Sequence, residues 1–99
     1  MILDIHEDAD RELHDAADFY DSESLGLGTV FLDEVEDGYD RIIEHPHAAE
    51  EIESGIRRLV LARFPYSLIY ELGEDSALIL AVAHQRQRPR YWRDRQPVR

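Results

Sequence analysis

The spacing of apolar residues changes from a helical to a strand period near the middle of the chain, and this change constrains the fold strongly. Apolar residues recur at helical spacing in residues 7–24 and again in residues 31–45, with acidic residues on the opposite faces. Two glycines in residues 25–28 separate these runs and favour a tight turn between helices. From residue 56 to residue 84 the alternation is that of strands. The sequence therefore predicts a helical hairpin at about 7–45, followed by β-hairpins at about 56–84.

Further segments complete the predicted fold. Residues 2–6 alternate as a short first strand, residues 46–55 form a polar, acidic loop, and residues 73–76 form a hairpin turn. Residues 77–84 are apolar on both sides, which is typical of a strand inside a sheet. The predicted order is β-α-α-β-β-β, an α+β fold in which a small curved antiparallel sheet carries the helical hairpin on one face. Residues 1–99 make a single domain.

Composition excludes several classes of protein. Hydrophobic residues make up 43% of the chain, enough for a packed core, but the longest apolar run, residues 77–83, is too short to span a bilayer. The chain has no Cys and its N-terminus is acidic, unlike an export signal, so we expect a cytoplasmic protein. His45 and His47 are too few to hold a metal ion, and the glycines of residues 25–28 lack the Lys of a phosphate-binding loop. We expect neither a metal nor a cofactor.

Charge is divided unevenly along the chain, whose formal net charge is −11. Residues 1–55 contain 18 acidic residues and two Arg, whereas residues 56–99 contain four acidic residues and nine Arg. The basic half is therefore expected to meet an anion, which is a nucleic acid, an acidic partner protein or the chain's own acidic half. The arginines are concentrated in residues 85–99, a segment that we call the arginine tail.

The arginine tail combines cations with aromatic rings. Arg86, Arg88 and Arg90 follow the last predicted strand and precede Tyr91 and Trp92. This pattern predicts a strip that contacts an anionic target or partner. A Trp at this place is more often a buried plug that closes the end of the sheet, and we favour that interpretation for Trp92.

Arg57 and Arg58 are neighbours on one predicted strand, so their side chains point to opposite faces of the sheet. Leu59 shares the face of Arg57 and Val60 shares the face of Arg58. Because both faces carry apolar groups, the alternation leaves open which of the two arginines reaches the exposed face. Each of them either contacts the target or a partner, or pairs with the acidic helices.

Short blocks occur along the chain in an order that is typical of one protein family. They are AADFY at 16–20, LGTVFLDEV at 27–35, GIRR at 55–58, RFPYSLIY at 63–70, AVAH at 81–84, Arg86, RP at 88–89 and YW at 91–92. On these blocks the chain resembles the RelE/ParE superfamily of toxins from bacterial type II toxin–antitoxin systems, in particular its ParE-like, plasmid-stabilisation branch. The resemblance covers about residues 2–95 and implies the same β-α-α-β-β-β fold.

One activity implied by the resemblance is that of the ribosome-dependent members, which cut mRNA without a metal by means of basic residues and a Tyr. The corresponding positions here are Arg58, Val60, Ser67, His84 or Arg86, and Tyr91. Val60 and Ser67 lack the charge that would stabilise a phosphorane, which argues against an efficient ribonuclease. The candidates that remain for acid, base or phosphate-binding roles are Arg58, His84, Arg86 and Tyr91.

The other implied activity is that of the ParE-like members, which inhibit DNA gyrase without a catalytic site of their own. The resemblance therefore implies a toxin that contacts gyrase, and a cognate antitoxin that neutralises it in a hetero-oligomer. The acidic first half favours protein partners over RNA. A ribosome-dependent mRNA endonuclease and a non-toxic remnant that only binds an antitoxin are the alternatives. The expected contact residues are Arg57, Arg58, Arg86, Arg88, Arg90, Tyr91 and Trp92.

Overall fold

The computed structural model describes residues 1–97, in which two helices and five strands are present. The elements are β1 (Ile2–Ile5), α1 (Glu7–Glu23), α2 (Leu27–Glu44), β2 (Glu50–Glu53), β3 (Ile56–Val60), β4 (Tyr66–Leu72) and β5 (Ser76–His84). A short 3₁₀ turn, Arg93–Arg95, follows in the arginine tail. The last two residues of that predicted tail, Val98 and Arg99, lie outside the described residues. Within residues 1–97, no helix is long and apolar enough to cross a membrane.

The helical hairpin begins and turns where local chemistry favours it. Nδ1 of His6 accepts a hydrogen bond of 3.0 Å from the backbone N–H of Asp8 at the start of α1, and the acidic first turn suits the positive end of the helix dipole. Between the helices Gly26 adopts φ +88°, a conformation that other residues rarely adopt. A Cβ on Gly28 would lie 2.4 Å from the carbonyl oxygen of Ala17, so the two helices meet closely at this glycine.

The five strands form one sheet in the order β1-β5-β4-β3-β2. The α+β fold with a helical hairpin is confirmed, but the sheet is mixed because β1 runs parallel to β5. The other three pairs of neighbouring strands, β5–β4, β4–β3 and β3–β2, are antiparallel.

The strand β2 lies within residues 46–55, which the sequence predicts as a solvated loop, so that prediction is wrong at this point. Glu50 pairs across the sheet with Arg58, and Glu51 pairs with Arg57. Opposite charges facing each other on neighbouring strands stabilise the pairing. The acidic run therefore forms an edge strand because it meets the basic strand β3.

The helical hairpin covers one face of the sheet through apolar packing. Its buried residues are Ala9, Leu13, Ala16 and Ala17 on α1, and Phe31, Val35 and Ile42 on α2. They pack against Leu68 and Tyr70 of β4 and Ile79 of β5, all three of which are fully buried. The Phe31 ring lies between Phe64 and Tyr66, with centroids 5.0 and 5.1 Å away.

The opposite face of the sheet is partly covered by the arginine tail. Trp92 is 4% exposed and packs in a second cluster with Ile56, Ile69, Leu80, Ala81 and Ala83. The tail therefore lies on the sheet rather than projecting from it. This placement leaves an open part of the same face between β3 and the tail.

Candidate functional site

A cleft of about 470 Å³ lies on the open face of the sheet, between the strands β3 and β4 and the arginine tail. We call it the sheet cleft. The predicted site residues that line it are Arg58, His84, Arg88, Arg90, Tyr91 and Trp92. Arg58 is distant in the sequence from the other five residues, and they meet because the tail packs on the face of the sheet to which β3 contributes Arg58.

Arg57 and Arg58 point to opposite faces as predicted, and Arg58 is the one that reaches the open face. Its guanidinium forms an ion pair with Glu50 on the neighbouring strand β2. The Arg57 guanidinium instead donates to the carbonyl oxygens of His47 and Ala49, at 3.0 and 2.7 Å. In the free chain Arg57 therefore holds the connection that leads into β2.

Two neighbouring lining residues of the sheet cleft are uncharged. Val60, which is 61% exposed, pairs across the sheet with Ser67, and both side chains line the cleft. These are the two positions at which the resemblance implies cations for RNA cleavage. Within residues 1–97, no group of three His, Asp or Glu side chains is placed to hold a metal ion.

His84 and Tyr91 are held by neighbours of their own chain. Nδ1 of His84 accepts a 3.0 Å hydrogen bond from the backbone N–H of Arg86, and its ring stacks edge-on against Tyr66 at 5.0 Å. The Tyr91 hydroxyl donates to the Glu12 carboxylate at 2.7 Å. Burial, and then this hydrogen bond to Glu12, raise the pKa of Tyr91, so the hydroxyl keeps its proton at neutral pH.

Several arginines pair with the acidic half of the chain itself, which was one of the three anions left open by the sequence. Arg90 lies 2.6 Å from Glu53 of β2, and Arg95 lies 2.8 Å from Glu12 of α1. On the other side of the sheet, Arg63 pairs with Glu34 at 2.8 Å. The acidic half therefore supplies partners for much of the basic half.

Arg86 and Arg88 differ from these arginines. Both are exposed, and within residues 1–97 neither has a carboxylate in ion-pair contact. Of the predicted contact residues in the tail, these two have guanidinium groups that are free to meet an external anion. Trp92, in contrast, is buried in the free chain, where its ring packs against the sheet as the favoured interpretation of the sequence expects.

Glu12 and Glu53 are the site residues that sequence reasoning missed. Each receives arginines of the tail, yet in the sequence Glu12 is one of many acidic residues on α1 and Glu53 lies in a segment predicted as a loop. The sequence signal that could have identified Glu12 is its position, because it lies next to the buried Leu13 and Ala16 rather than on the exposed face of α1. Nothing in the sequence says which carboxylate meets which arginine.

A helical hairpin on a five-stranded sheet, with an arginine-bearing segment after the last strand, defines a ParE/RelE-type toxin fold. The family model described as ParE toxin of type II toxin-antitoxin system, parDE, matches residues 3–89. The chain belongs to this ParE toxin family. No curated protein sequence matches it.

A solved structure supports the same fold. The chain is similar to a chain of the chromosomal ParDE TA system from P. aeruginosa, with a TM-score of 0.74. The two are 18% identical in sequence, and the match covers 85% of this chain and 95% of the other. The chain architecture is thus shared although most side chains differ.

Proposed function

We propose that this toxin inhibits DNA gyrase through protein–protein contact in the cytoplasm, and that a cognate antitoxin neutralises it in a hetero-oligomer. The observation that carries the proposal is that two uncharged cross-strand partners, Val60 and Ser67, line the sheet cleft. Metal-independent cleavage of RNA needs cations around the scissile phosphate together with a general base and a general acid. A toxin that acts by binding needs neither.

Three of the four remaining catalytic candidates support the same interpretation. Arg58 is engaged by Glu50, and the Tyr91 hydroxyl donates to a carboxylate that favours its neutral form. His84 has one ring nitrogen engaged by the backbone of Arg86. The acidic helices on the other face of the sheet add a negative field that opposes RNA phosphates.

Contact with a protein target would use the exposed side of the sheet cleft. Arg88 lines the cleft together with the exposed Val60, which offers an apolar contact, and the exposed Arg86 offers a second charged donor two positions before Arg88. Arginine flanked by apolar surface is enriched where proteins bind tightly. The antitoxin partner is proposed from family membership and from the ParDE system to which the similar structure belongs.

Induced expression in a host without the antitoxin tests the proposal. We expect growth arrest with DNA double-strand breaks and a DNA-damage response, while ribosome-bound mRNA stays intact. In a purified assay, the chain should inhibit the supercoiling activity of gyrase. Cleavage of ribosome-bound mRNA at codon positions would replace this proposal by the endonuclease. Unimpaired growth would indicate a remnant that only binds an antitoxin.

A further inference from the structure

The carboxylate of Glu12 accepts four hydrogen bonds. Its donors are Val82 N at 3.1 Å, Tyr91 Oη at 2.7 Å, and Arg95 Nη1 and Nη2 at 2.8 and 3.0 Å. The Glu12 and Arg95 side chains are 18% and 12% exposed. A two-pronged contact between an arginine and a carboxylate fixes orientation as well as distance. We call this arrangement the Glu12–Arg95 clasp.

The clasp also completes the edge of β5. The strand β1 pairs with β5 only as far as Ile79, although β5 continues to His84. Beyond that point the Val82 N–H donates to Glu12, and the Leu80 carbonyl accepts from Arg95 at 3.1 Å. Because backbone polar groups near a core need partners, the two side chains substitute for the missing strand. Glu12 thus joins α1, β5 and the arginine tail at one point.

A second contact holds the tail near the opposite edge of the sheet. Arg90 pairs with Glu53 of β2 and has a φ of +62°, a left-handed conformation that is unusual for a residue with a side chain. Trp92 lies between the two contacts, buried against the sheet. The tail is therefore anchored by Glu53, by Trp92 and by the clasp. Arg86 and Arg88 lie just before these anchors.

We propose that Glu12 is the positioning residue of the arginine tail: it touches no target, and it acts by holding Arg95 and Tyr91 so that the tail presents Arg86 and Arg88 beside the sheet cleft. Removing Glu12 leaves the shielded Arg95 guanidinium with its longer contact to Asp8, at 3.7 Å, as the remaining ion pair among the described residues, so the tail loosens while the helical hairpin stays packed. The link to target action rests on the proposed function. That Glu12 holds the tail does not depend on the proposed function.

The single Trp of the chain lies within the tail, so its fluorescence reports on the tail alone. The test compares Glu12→Gln with Asp18→Asn, which makes the same charge change at an exposed position of α1. In Glu12→Gln we expect Trp92 emission to shift to the red and acrylamide quenching to rise, while the circular dichroism of helices and sheet remains native. Asp18→Asn should match the wild type in both measurements. In cells, Glu12→Gln should lose growth arrest and Asp18→Asn should keep it.

Arg95→Gln breaks the same clasp from the side of the tail. It allows the proposal to be tested even if the Glu12→Gln variant does not fold. The double variant should be little worse than either single variant, because all three lack the same contact. The proposal is wrong if Trp92 stays shielded from quencher in both Glu12→Gln and Arg95→Gln. It is also wrong if Trp92 becomes exposed in these variants while growth arrest is undiminished. A wild-type chain that arrests no growth contradicts the proposed function instead, and the fluorescence then decides whether Glu12 holds the tail.

Discussion

The helical hairpin and the arginine tail cover opposite faces of one sheet, and different forces hold them there. The hairpin contributes apolar side chains that are almost completely buried, such as Phe31 and Val35. The tail contributes one buried ring, Trp92, and depends otherwise on charged contacts to Glu12 and Glu53. Both layers are ordered, but only one of them is a hydrophobic core in the ordinary sense.

This difference follows from the area that each layer can bury. Hydrophobic stabilisation grows with buried apolar surface, at about 25 cal/mol per Å². Two amphipathic helices supply that surface, whereas a short segment rich in arginine does not. The tail therefore relies on a few specific charges, and single substitutions that change those charges should release it. The hairpin should respond mainly to changes of volume.

The largest expected effect comes from alkaline pH, which acts on both layers. The pKa of every Tyr in the chain is raised, with burial as the first cause; these residues are Tyr20, Tyr39, Tyr66, Tyr70 and Tyr91. The value for Tyr39 rises to about 12. Since the folded state favours the protonated form, this stabilisation is complete below about pH 10 and is lost as pH rises through the folded pKa values.

Absorbance of the phenolate group, followed together with circular dichroism, checks this expectation. Phenolate should form in the same pH range in which the fold is lost. Titration of all five rings near pH 10 in a chain with native circular dichroism would contradict it. Tyr39→Phe is a suitable control, because its buried hydroxyl has no hydrogen-bond partner among the described residues and its loss should not destabilise the fold at neutral pH.

The next largest effect is expected for Phe31→Ala in the helical layer. Phe31 is fully buried among aromatic rings, so truncation leaves a cavity and lowers the free energy of unfolding by about 3–5 kcal/mol. Phe19→Ala removes the same ring at a position that is 55% exposed, and a change near 0.5 kcal/mol is expected. Urea unfolding followed by circular dichroism measures both. Equal losses in the two variants would mean that burial does not hold this layer.

An intermediate effect is expected for Tyr91→Phe in the tail. This change removes the hydroxyl that donates to Glu12 and keeps the ring, so the free energy of unfolding should fall by about 1.5–3 kcal/mol. Growth arrest at high expression should persist, as it should in His84→Gln. A general acid or base would instead lose about 10²–10⁴ in rate. Loss of mRNA cleavage in either variant would overturn the proposed mechanism.

The smallest effect on stability is expected for two neighbouring arginines of the tail. Arg90→Gln breaks the pair with Glu53, in which the arginine is exposed, and should lower the free energy of unfolding by about 0.2–1 kcal/mol. Arg88→Gln removes no ion pair within residues 1–97 and should change the free energy of unfolding by less than about 0.5 kcal/mol. Replacing Arg86, Arg88 and Arg90 together by Gln should leave a cooperative melt and abolish growth arrest. Full toxicity of that triple variant would show that the tail does not contact the target.

Most of the fold could be predicted because its elements follow from local patterns. The helical periods place both ends of α1 and the end of α2 within a residue or two, although α2 begins at Leu27, four residues before the predicted run, and the strand periods place β3, β4 and β5. The strand β2 could not be predicted in the same way, since its short acidic sequence has no strand alternation and its pairing with Arg57 and Arg58 of β3 exists only in the folded chain. The parallel pairing of β1 with β5 was also not predicted, because local spacing does not show how distant strands pair.

The candidate site was predictable in part. Alternation places Arg57 and Arg58 on opposite faces, and only the packing of the helices decides that Arg58 is on the open one. The buried ring of Trp92 agrees with the favoured interpretation of that residue. Glu12 and Glu53 escaped notice because their partners lie 83 and 37 positions away, and local spacing carries no information about such pairs.

The sequence by itself determined where the helices and most strands begin and end, and which family the chain resembles. Both depend on near neighbours, through propensity, periodicity and short blocks of residues. Only the tertiary structure decided which arginines remain available to a partner. Arg90 and Arg95 are taken by carboxylates of the acidic half, whereas Arg86 and Arg88 are not. Whether an arginine is free depends on whether the folded chain brings a carboxylate within about 4 Å of it, and the sequence composition does not contain that distance.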